Sequence, residues 1–193
     1  MFNLEEENRI LKTRIKTLNK IGLALSKIDD TNELLQLILE ESMNLTFSDG
    51  GSIYLKEKID DVNTMSIKYS ANRSINFNFK GETLAINNNS VTGYVAINGK
   101  TLVINDFSNT SDGFKLESMK SYDDKSKYKT QNMMIIPMKN ENKEIVGILQ
   151  ILNKKKAADV ILKSTGDFDE NIVDYDDDDI EMISSLASLI AVL

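Results

Sequence analysis

The sequence predicts an α+β fold, with a mostly antiparallel sheet and helices segregated beside it. Predicted strands cluster along the chain without the regular strand–helix alternation that is typical of parallel sheets. Apolar residues with helical spacing lie near both ends of the chain. We therefore expect the terminal helices to cover one face of the sheet. The middle of the chain, with a short helix and several loops, is left to cover the other face, where small ligands commonly bind.

A heptad repeat near the N-terminus predicts a dimerising helix over residues 1–28. Leucines occupy the d positions of the repeat, at Leu4, Leu11, Leu18 and Leu25. The a positions between them hold Asn8, Ile15 and Gly22. A single asparagine at an a position of such a repeat fixes the register of a two-stranded coiled coil. The alternative is one helix packed on its own domain. We expect residues 29–193 to form a separate sensory domain.

The next elements are a helix and two strands. Asp30 or Thr31 can cap a helix that runs to about Thr46. The polar segment "SDGG" at 48–51 predicts a turn, and strands are predicted at 52–56 and 64–70.

A second group of elements follows in the middle of the chain. Asn89 or Ser90 can cap a short helix that Gly99 ends, and a strand is predicted at 101–104. The polar segment 107–129 has room for one or two helical turns. The strands "NMMIIPM" and "IVGILQILNK" form a hairpin, with Pro137 predicting an edge or a bulge. A long connection then leads to a helix over 180–193, which four aspartates at 176–179 open.

The composition favours a domain that binds over one that catalyses a reaction. The chain has 193 residues, a net charge of −7, no histidine and no cysteine. These absences exclude an imidazole base, a thiolate nucleophile, a disulfide and haem or iron–sulfur ligation by those residues. The acidic balance argues against nucleic acid as a partner. The chain has no apolar segment long enough to cross a membrane and no secretion signal, so a cytoplasmic protein is expected. Neither a cofactor nor a metal is expected.

The segment "VGILQILNK", residues 146–154, places one amide in an apolar strand. Strict alternation predicts that Gln150 shares a face with Val146, Ile148 and Leu152. A buried amide without partners costs about 1–3 kcal/mol. We therefore expect either the neighbouring backbone or a ligand to satisfy Gln150.

Three stretches of the sequence resemble a GAF domain over about 21–193. They are "GSIYL", "SVTGYVAINGKTLVINDF" and "YDDKSKYKTQNMMIIPMKNENKEIVGILQILNK". The last is similar to the corresponding run in GAF domains of cyclic-nucleotide phosphodiesterases and of bacterial HD-GYP and cyclase signalling proteins. The resemblance implies a six-stranded antiparallel sheet, a loop-roofed ligand pocket on one face, and helices on the other face that mediate a homodimer.

The same resemblance implies a set of ligand-binding residues: Tyr69, Ser70, Val91, Thr92, Asp106, Tyr128, Thr130 and Gln150. Serine at position 70, where relatives carry an acid, counts against cyclic GMP. Each of these assignments has a structural alternative. Tyr69 can be an ordinary core tyrosine, and the short helix can be capped without a ligand. Asp106 can be an aspartate that caps a loop.

A second motif of the nucleotide-binding relatives is matched in part. It begins with Asn153 and Lys154, and continues with Tyr175 in place of phenylalanine and then Asp179. Ile180 stands where relatives have glutamate. The resemblance implies a structural pair, Lys154 with Asp179, that ties the last strand to the last helix.

The expected function is therefore small-molecule sensing, with a cyclic nucleotide as one candidate ligand, in a larger bacterial-type signalling protein. Any catalytic activity would lie in an output domain such as an HD-GYP phosphodiesterase or a cyclase. The alternative is a ligand-free module that only dimerises or binds a partner. The methionine-sulfoxide reductases that share the fold need cysteines, which this chain lacks.

Overall fold

The architecture is a six-stranded antiparallel sheet with helices on both faces, which confirms the predicted α+β class. The computed structural model describes residues 4–28, 30–76, 79–107 and 113–191. Within these ranges the strand order is β3-β2-β1-β6-β5-β4. The strands are β1 Ser48–Ile59, β2 Val62–Asn72, β3 Thr83–Ala85, β4 Leu102–Ile104, β5 Met133–Lys139 and β6 Ile145–Lys154.

The helices divide between the two faces of the sheet. They are α1 Leu4–Leu25, α2 Thr31–Thr46, α3 Val91–Asn98, α4 Glu117–Ser126, α5 Thr165–Asn171 and α6 Asp177–Ile190. Helices α2 and α6, with the C-terminal part of α1, bury one apolar core against the sheet. Helix α3 and Met119 of α4 belong to a second core on the opposite face. The terminal helices therefore share one face, as predicted.

The predicted turn at 48–51 is wrong, because this segment is the beginning of β1. Ser48, Asp49 and Gly50 are buried, and Ser48 and Gly50 pair with neighbouring strands. A Cβ atom on Gly51 would lie 2.8 Å from the Leu39 side chain and 2.9 Å from the carbonyl oxygen of Gln150. The glycines thus allow α2 and β6 to approach the strand closely. Besides turns and bulges, close approach is a common reason for glycine in a strand.

Strand pairing skips one residue in β2 and one in β6, and each skip changes which side chains point to which face of the sheet. In β2 the pairing skips Lys68, since Ile53 pairs with Tyr69 while Tyr54 pairs with Ile67. In β6 the pairing skips Val146, so Val146 packs in the core of the terminal helices and only Ile148 and Leu152 share the face of Gln150. The predicted alternation was therefore wrong for Val146.

Pro137 lies where the sheet tolerates the loss of a backbone donor. It pairs with Ile148 of β6, while β4 pairs with β5 only at residues 133–135. A register shift follows directly, between Met138 and Lys139. The prediction of an edge or a bulge at this proline is confirmed.

Three elements depart from the prediction, two because they were not predicted and one because of its length. Strand β3 and helix α5 were not predicted, and α4 spans 10 residues instead of one or two turns. The predicted terminal helix includes residues 192 and 193, and the predicted polar segment includes 108–112; these lie outside the described residues, as does residue 29 at the expected domain boundary.

Candidate functional site

A cavity lies on the sheet face opposite the terminal helices. Strands β1, β2 and β6 form its floor, and its roof comes from Ile75, Phe79, the start of α3, helix α4, and Tyr128 and Thr130. The centres of water-sized molecules can occupy about 80 Å³ of it, which is room for a compact molecule. Pockets that hold drug-sized ligands measure roughly 300–1,000 Å³, so a whole nucleotide requires the roof to move outward.

Most of the residues that the resemblance implied line this cavity. Six of the eight do so: Ser70, Val91, Thr92, Tyr128, Thr130 and Gln150. They come from β2, α3, the loop after α4 and β6, which are distant in sequence. Tyr69 and Asp106 are not among the lining residues.

Tyr69 points to the opposite face because of the bulge at Lys68. Its ring packs in the core of the terminal helices, and its hydroxyl donates to Glu40 of α2 at 3.2 Å. Strict alternation would have placed it beside Ile67, which does line the cavity. The interpretation of Tyr69 as a ligand contact is therefore corrected to a structural role. Ser70 takes the position over the cavity, where its hydroxyl accepts the N–H of Phe79 at 3.1 Å.

Asp106 lies outside the cavity. It is exposed, two residues after the end of β4. The strand ends at Ile104, so the chain has already left the sheet before it reaches this side chain. The interpretation of Asp106 as a ligand contact is not supported by its position.

Gln150 is buried in the cavity floor with incomplete hydrogen bonding. Its Oε1 accepts the hydroxyl of Thr92 at 3.1 Å, which links β6 to the start of α3. Its Nε2 donates to the sulfur of Met133 at 3.3 Å. A thioether sulfur is a weak acceptor. Within the described part of the chain this is the only bond of Nε2, so a ligand with a carbonyl or hydroxyl oxygen offers a better partner.

The beginning of α3 is positioned by its own cap. The Ser90 hydroxyl accepts the N–H of Gly93 at 2.9 Å, and Val91 and Thr92 are buried. The cavity floor carries Tyr54, whose pKa is raised to about 12 because burial disfavours the phenolate. Helix N-termini favour anions, but the cap already uses one of the free N–H groups here.

The roof over the cavity is aromatic and carries one carboxylate. Phe79 and Tyr122 stack edge to face with their centroids 4.8 Å apart. Asp123 accepts the backbone N–H of Thr130 at 2.9 Å and the hydroxyl of Thr130 at 2.7 Å. Burial raises the pKa of Asp123 above its ordinary value, although both bonds to Thr130 act in the opposite direction.

A buried ion pair supports one wall of the cavity. Asp49 of β1 and Lys155, just after β6, are 2.9 Å apart, and their side chains are 0% and 1% exposed. The Tyr128 hydroxyl, on the cavity wall, donates to Asp49 at 2.7 Å, and Ser74 donates to the same carboxylate at 2.8 Å. Burial and this carboxylate raise the pKa of Tyr128 well above its ordinary value. The network joins the cavity to the ends of two central strands.

The end of β6 is fastened to α6 beside this network. Asn153 has a positive φ of 55°, which asparagine adopts more readily than most residues. Its side chain bonds the backbone of Lys129 and Gln131 at 2.8 Å each. Lys154 contacts the carboxylate of Asp179, and that of Asp176 at 3.0 Å. Burial opposes the charge on Lys154, yet the two carboxylates outweigh it and raise its pKa.

Several residues of the site had no signal in the sequence. Asp49 stands in a "SDGG" segment that has the composition of a turn, and Lys155 is the middle residue of "KKK". Tyr122 and Asp123 lie in a polar segment where helical periodicity is weak. Only tertiary packing brings these residues to the cavity. For Tyr122 and Asp123 the one usable signal was indirect, because the three polar residues "YDD" at 122–124 lie inside the stretch that carries the resemblance.

The ranges that the structure describes hold neither a carboxylate cluster for a metal ion nor a membrane-spanning helix. They contain no group of three or more acidic side chains arranged to hold a metal ion. None of their helices is long and apolar enough to cross a bilayer.

The sheet thus carries the terminal helices on one face and a roofed cavity on the other. The chain belongs to the GAF domain family, whose model matches residues 30–193. Members of this family are typically signalling or sensory modules and generally regulatory.

Solved structures agree with this fold at low sequence identity. The GAF domain of an Acinetobacter phosphoenolpyruvate-protein phosphotransferase is 13% identical, with a TM-score of 0.65 over 99% of this chain and 92% of that one. A methyl-accepting chemotaxis protein, residues 122 to 287, is 17% identical, with a TM-score of 0.67 over 91% and 94%. A Neisseria meningitidis free methionine-R-sulfoxide reductase in complex with its substrate is 12% identical, with a TM-score of 0.62 over 92% and 86%. Identities this low carry the fold and not the function.

Proposed function

We propose that this chain is a regulatory domain that binds a small molecule in the cavity and transmits its presence through a homodimer. The observation that carries the proposal is Gln150, a buried amide in the cavity floor whose Nε2 meets only a sulfur among the described residues. Natural proteins rarely bury an amide donor without an oxygen partner. A ligand oxygen at this point would complete its hydrogen bonding.

The route from the cavity to the terminal helices runs through the buried network. A ligand that displaces Tyr128 changes the bond between its hydroxyl and Asp49, and with it the pair with Lys155. The preceding residue, Lys154, is fastened to Asp179 of α6. At the other end of this path, Arg14 of α1 contacts Asp178 of α6 at 3.3 Å. The size of any response is limited by the ligand's difference in affinity for the domain before and after this change in the network.

The exposed stripe on α1 supports the homodimer. Ile21 is fully buried and, with Ala24 and Ile28, anchors the C-terminal half of the helix in the core. Leu11 and Ile15 remain 52% and 58% exposed. The remaining described seam residues, Leu4, Asn8, Leu18 and Gly22, are exposed too, while the side chain of Leu25 lies outside the description. A second copy of the same helix fits the stripe because Asn8 at an a position can bond to its own copy.

A ligand-free interaction module is the competing function, and the small volume of the cavity favours it. Reductase activity is not proposed, since the chain has no cysteine. A cyclic nucleotide remains one candidate ligand. It requires an opening of the roof, and the lining residues in the described chain include no lysine or arginine to pair with its phosphate.

A thermal-shift screen of a metabolite library that includes cyclic AMP and cyclic GMP distinguishes the two functions. A ligand at 100 times its Kd adds about 2.7 kcal/mol, which corresponds to roughly 5–11 °C for a domain of this size. Ser118→Trp, on the cavity side of α4, should abolish the shift by filling the cavity. Ser121→Trp, on the exposed side of the same helix, is the matched control. If no compound shifts the wild-type protein, the sensor function is wrong.

A further inference from the structure

The charges around the cavity identify the kind of ligand that it suits. Among the 24 lining residues of the described chain there is no lysine and no arginine, and Asp123 is the only acidic one. An anion entering this cavity would lose its hydration without meeting an opposite charge, which is strongly unfavourable in a partly buried site. A cation would meet a carboxylate.

Asp123 is a half-buried carboxylate without a cationic partner in the described part of the chain. Among the described residues, Thr130 alone donates to its two oxygens, and each oxygen retains capacity for a further donor. The neighbouring charged side chain is Asp124, which adds repulsion instead of relief. Carboxylates in this condition are stabilised when a positive group binds beside them. The buried Lys155 is paired with Asp49, which accepts a bond from Tyr128 of the cavity wall.

The aromatic roof provides a second attraction for a positive group. Tyr122 is adjacent in sequence to Asp123, and its ring lies edge to face with Phe79 over the cavity. The faces of such rings attract ammonium groups. Lys125 already lies 5.5 Å from the centroid of the Tyr122 ring, in a position outside the cavity lining. The same ring borders the cavity, where a ligand cation would find Asp123 beside it.

We propose that the cavity binds a compact organic amine, with its ammonium group between Asp123 and Tyr122 and its apolar body against the sheet. This proposal rests on the proposed sensory function and specifies its ligand class. The volume of about 80 Å³ restricts the amine to a short aliphatic chain or a single small ring. A hydrogen-bond acceptor at the far end of the ligand would reach Gln150, whose Nε2 otherwise has only the Met133 sulfur.

The test compares three probes of nearly equal shape and different charge: isobutylamine, isobutanol and isobutyrate. Isothermal titration calorimetry at neutral pH should give an affinity for the amine at least tenfold above the affinities for the alcohol and the carboxylate. Asp123→Asn should weaken amine binding at least tenfold and leave alcohol binding within twofold. Asp124→Asn removes the same charge from an exposed neighbour, and should change amine binding less than threefold.

A second variant keeps the test valid if Asp123→Asn does not fold. Tyr122→Leu keeps an apolar roof but removes the ring, and should weaken the amine more than the alcohol. Equal or tighter binding of isobutyrate overturns the proposal, and so does amine binding that neither variant changes. If none of the three probes binds, the amine class is wrong, while the sensory function is judged separately by the metabolite screen.

Discussion

Replacing Lys155 by methionine should destabilise the domain more than the loss of any exposed lysine. The pair of Lys155 with Asp49 is almost completely buried, and the ammonium group also donates to the carbonyl oxygen of Val160 at 2.5 Å. Without it, the Asp49 carboxylate keeps only two described side-chain donors, the hydroxyls of Tyr128 and Ser74. Breaking a buried pair from one side costs about 3–5 kcal/mol. Typical domains have a total stability of about 5–15 kcal/mol.

The measurement is urea unfolding followed by circular dichroism at neutral pH. For a chain of this length the loss corresponds to roughly 6–20 °C in Tm. Lys156→Met is the matched control, because Lys156 is the next residue and exposed. It should change the free energy of unfolding by less than about 0.5 kcal/mol. Adding Asp49→Asn to Lys155→Met should restore part of the loss, since the unpaired charge is removed as well. A Lys155→Met protein with the wild-type midpoint would refute the importance of this network.

Four further predictions concern the dimer, Gln150 in the cavity floor, the Lys154 pair and the titration of Tyr54. Leu11→Lys with Leu18→Lys should convert a homodimer at tens of micromolar into a monomer, as measured by sedimentation, because two charges would face each other across the seam. Gln150→Leu should abolish ligand shifts and lower stability by about 1 kcal/mol, since the buried Thr92 hydroxyl loses its acceptor. Lys154→Ala should lower the free energy of unfolding by about 2 kcal/mol, as its pair is only partly buried. Because the pKa of Tyr54 is raised to about 12 from about 10 in the unfolded chain, stability should be lost as the pH rises from about 10 towards 12, by about 3 kcal/mol from this group.

These predictions have their own controls and contradicting outcomes. Leu23→Lys also charges an exposed leucine of α1, but outside the seam, and should leave the dimer intact. A wild-type monomer would contradict the homodimer. Loss of stability with ligand shifts intact in Gln150→Leu would mean that the amide is structural. For the alkaline transition, Tyr54→Phe is the control, and unfolding in that variant should depend less on pH between 10 and 12. An unchanged dependence would assign the transition to other groups.

The regular elements could be predicted because their signals are local. The heptad leucines, the Asp30 and Ser90 caps and the apolar hairpin strands each act within a few residues of the chain, and the observed helices and strands contain them. The error at 48–51 also has a local origin. Two glycines after an aspartate have the composition of a turn, whereas here they serve the close approach of Leu39 and β6.

The candidate site could be predicted only in part, because strand irregularities and long-range pairs determine it. One skipped residue, Lys68, decides that Ser70 and not Tyr69 borders the cavity. The partners Asp49 and Lys155 are 106 positions apart, and nothing near either residue indicates the other. Such pairs follow from the packing of the whole sheet, which a pattern of polar and apolar residues does not specify.

The central claim is that the cavity of the folded domain binds a small molecule. Native mass spectrometry of the folded domain, after incubation with a metabolite extract, tests it most directly. The wild-type protein and Ser121→Trp should each carry a bound mass that denaturation releases, and Ser118→Trp should not. A wild-type spectrum that shows only the protein, or the same bound mass on Ser118→Trp, would contradict the claim.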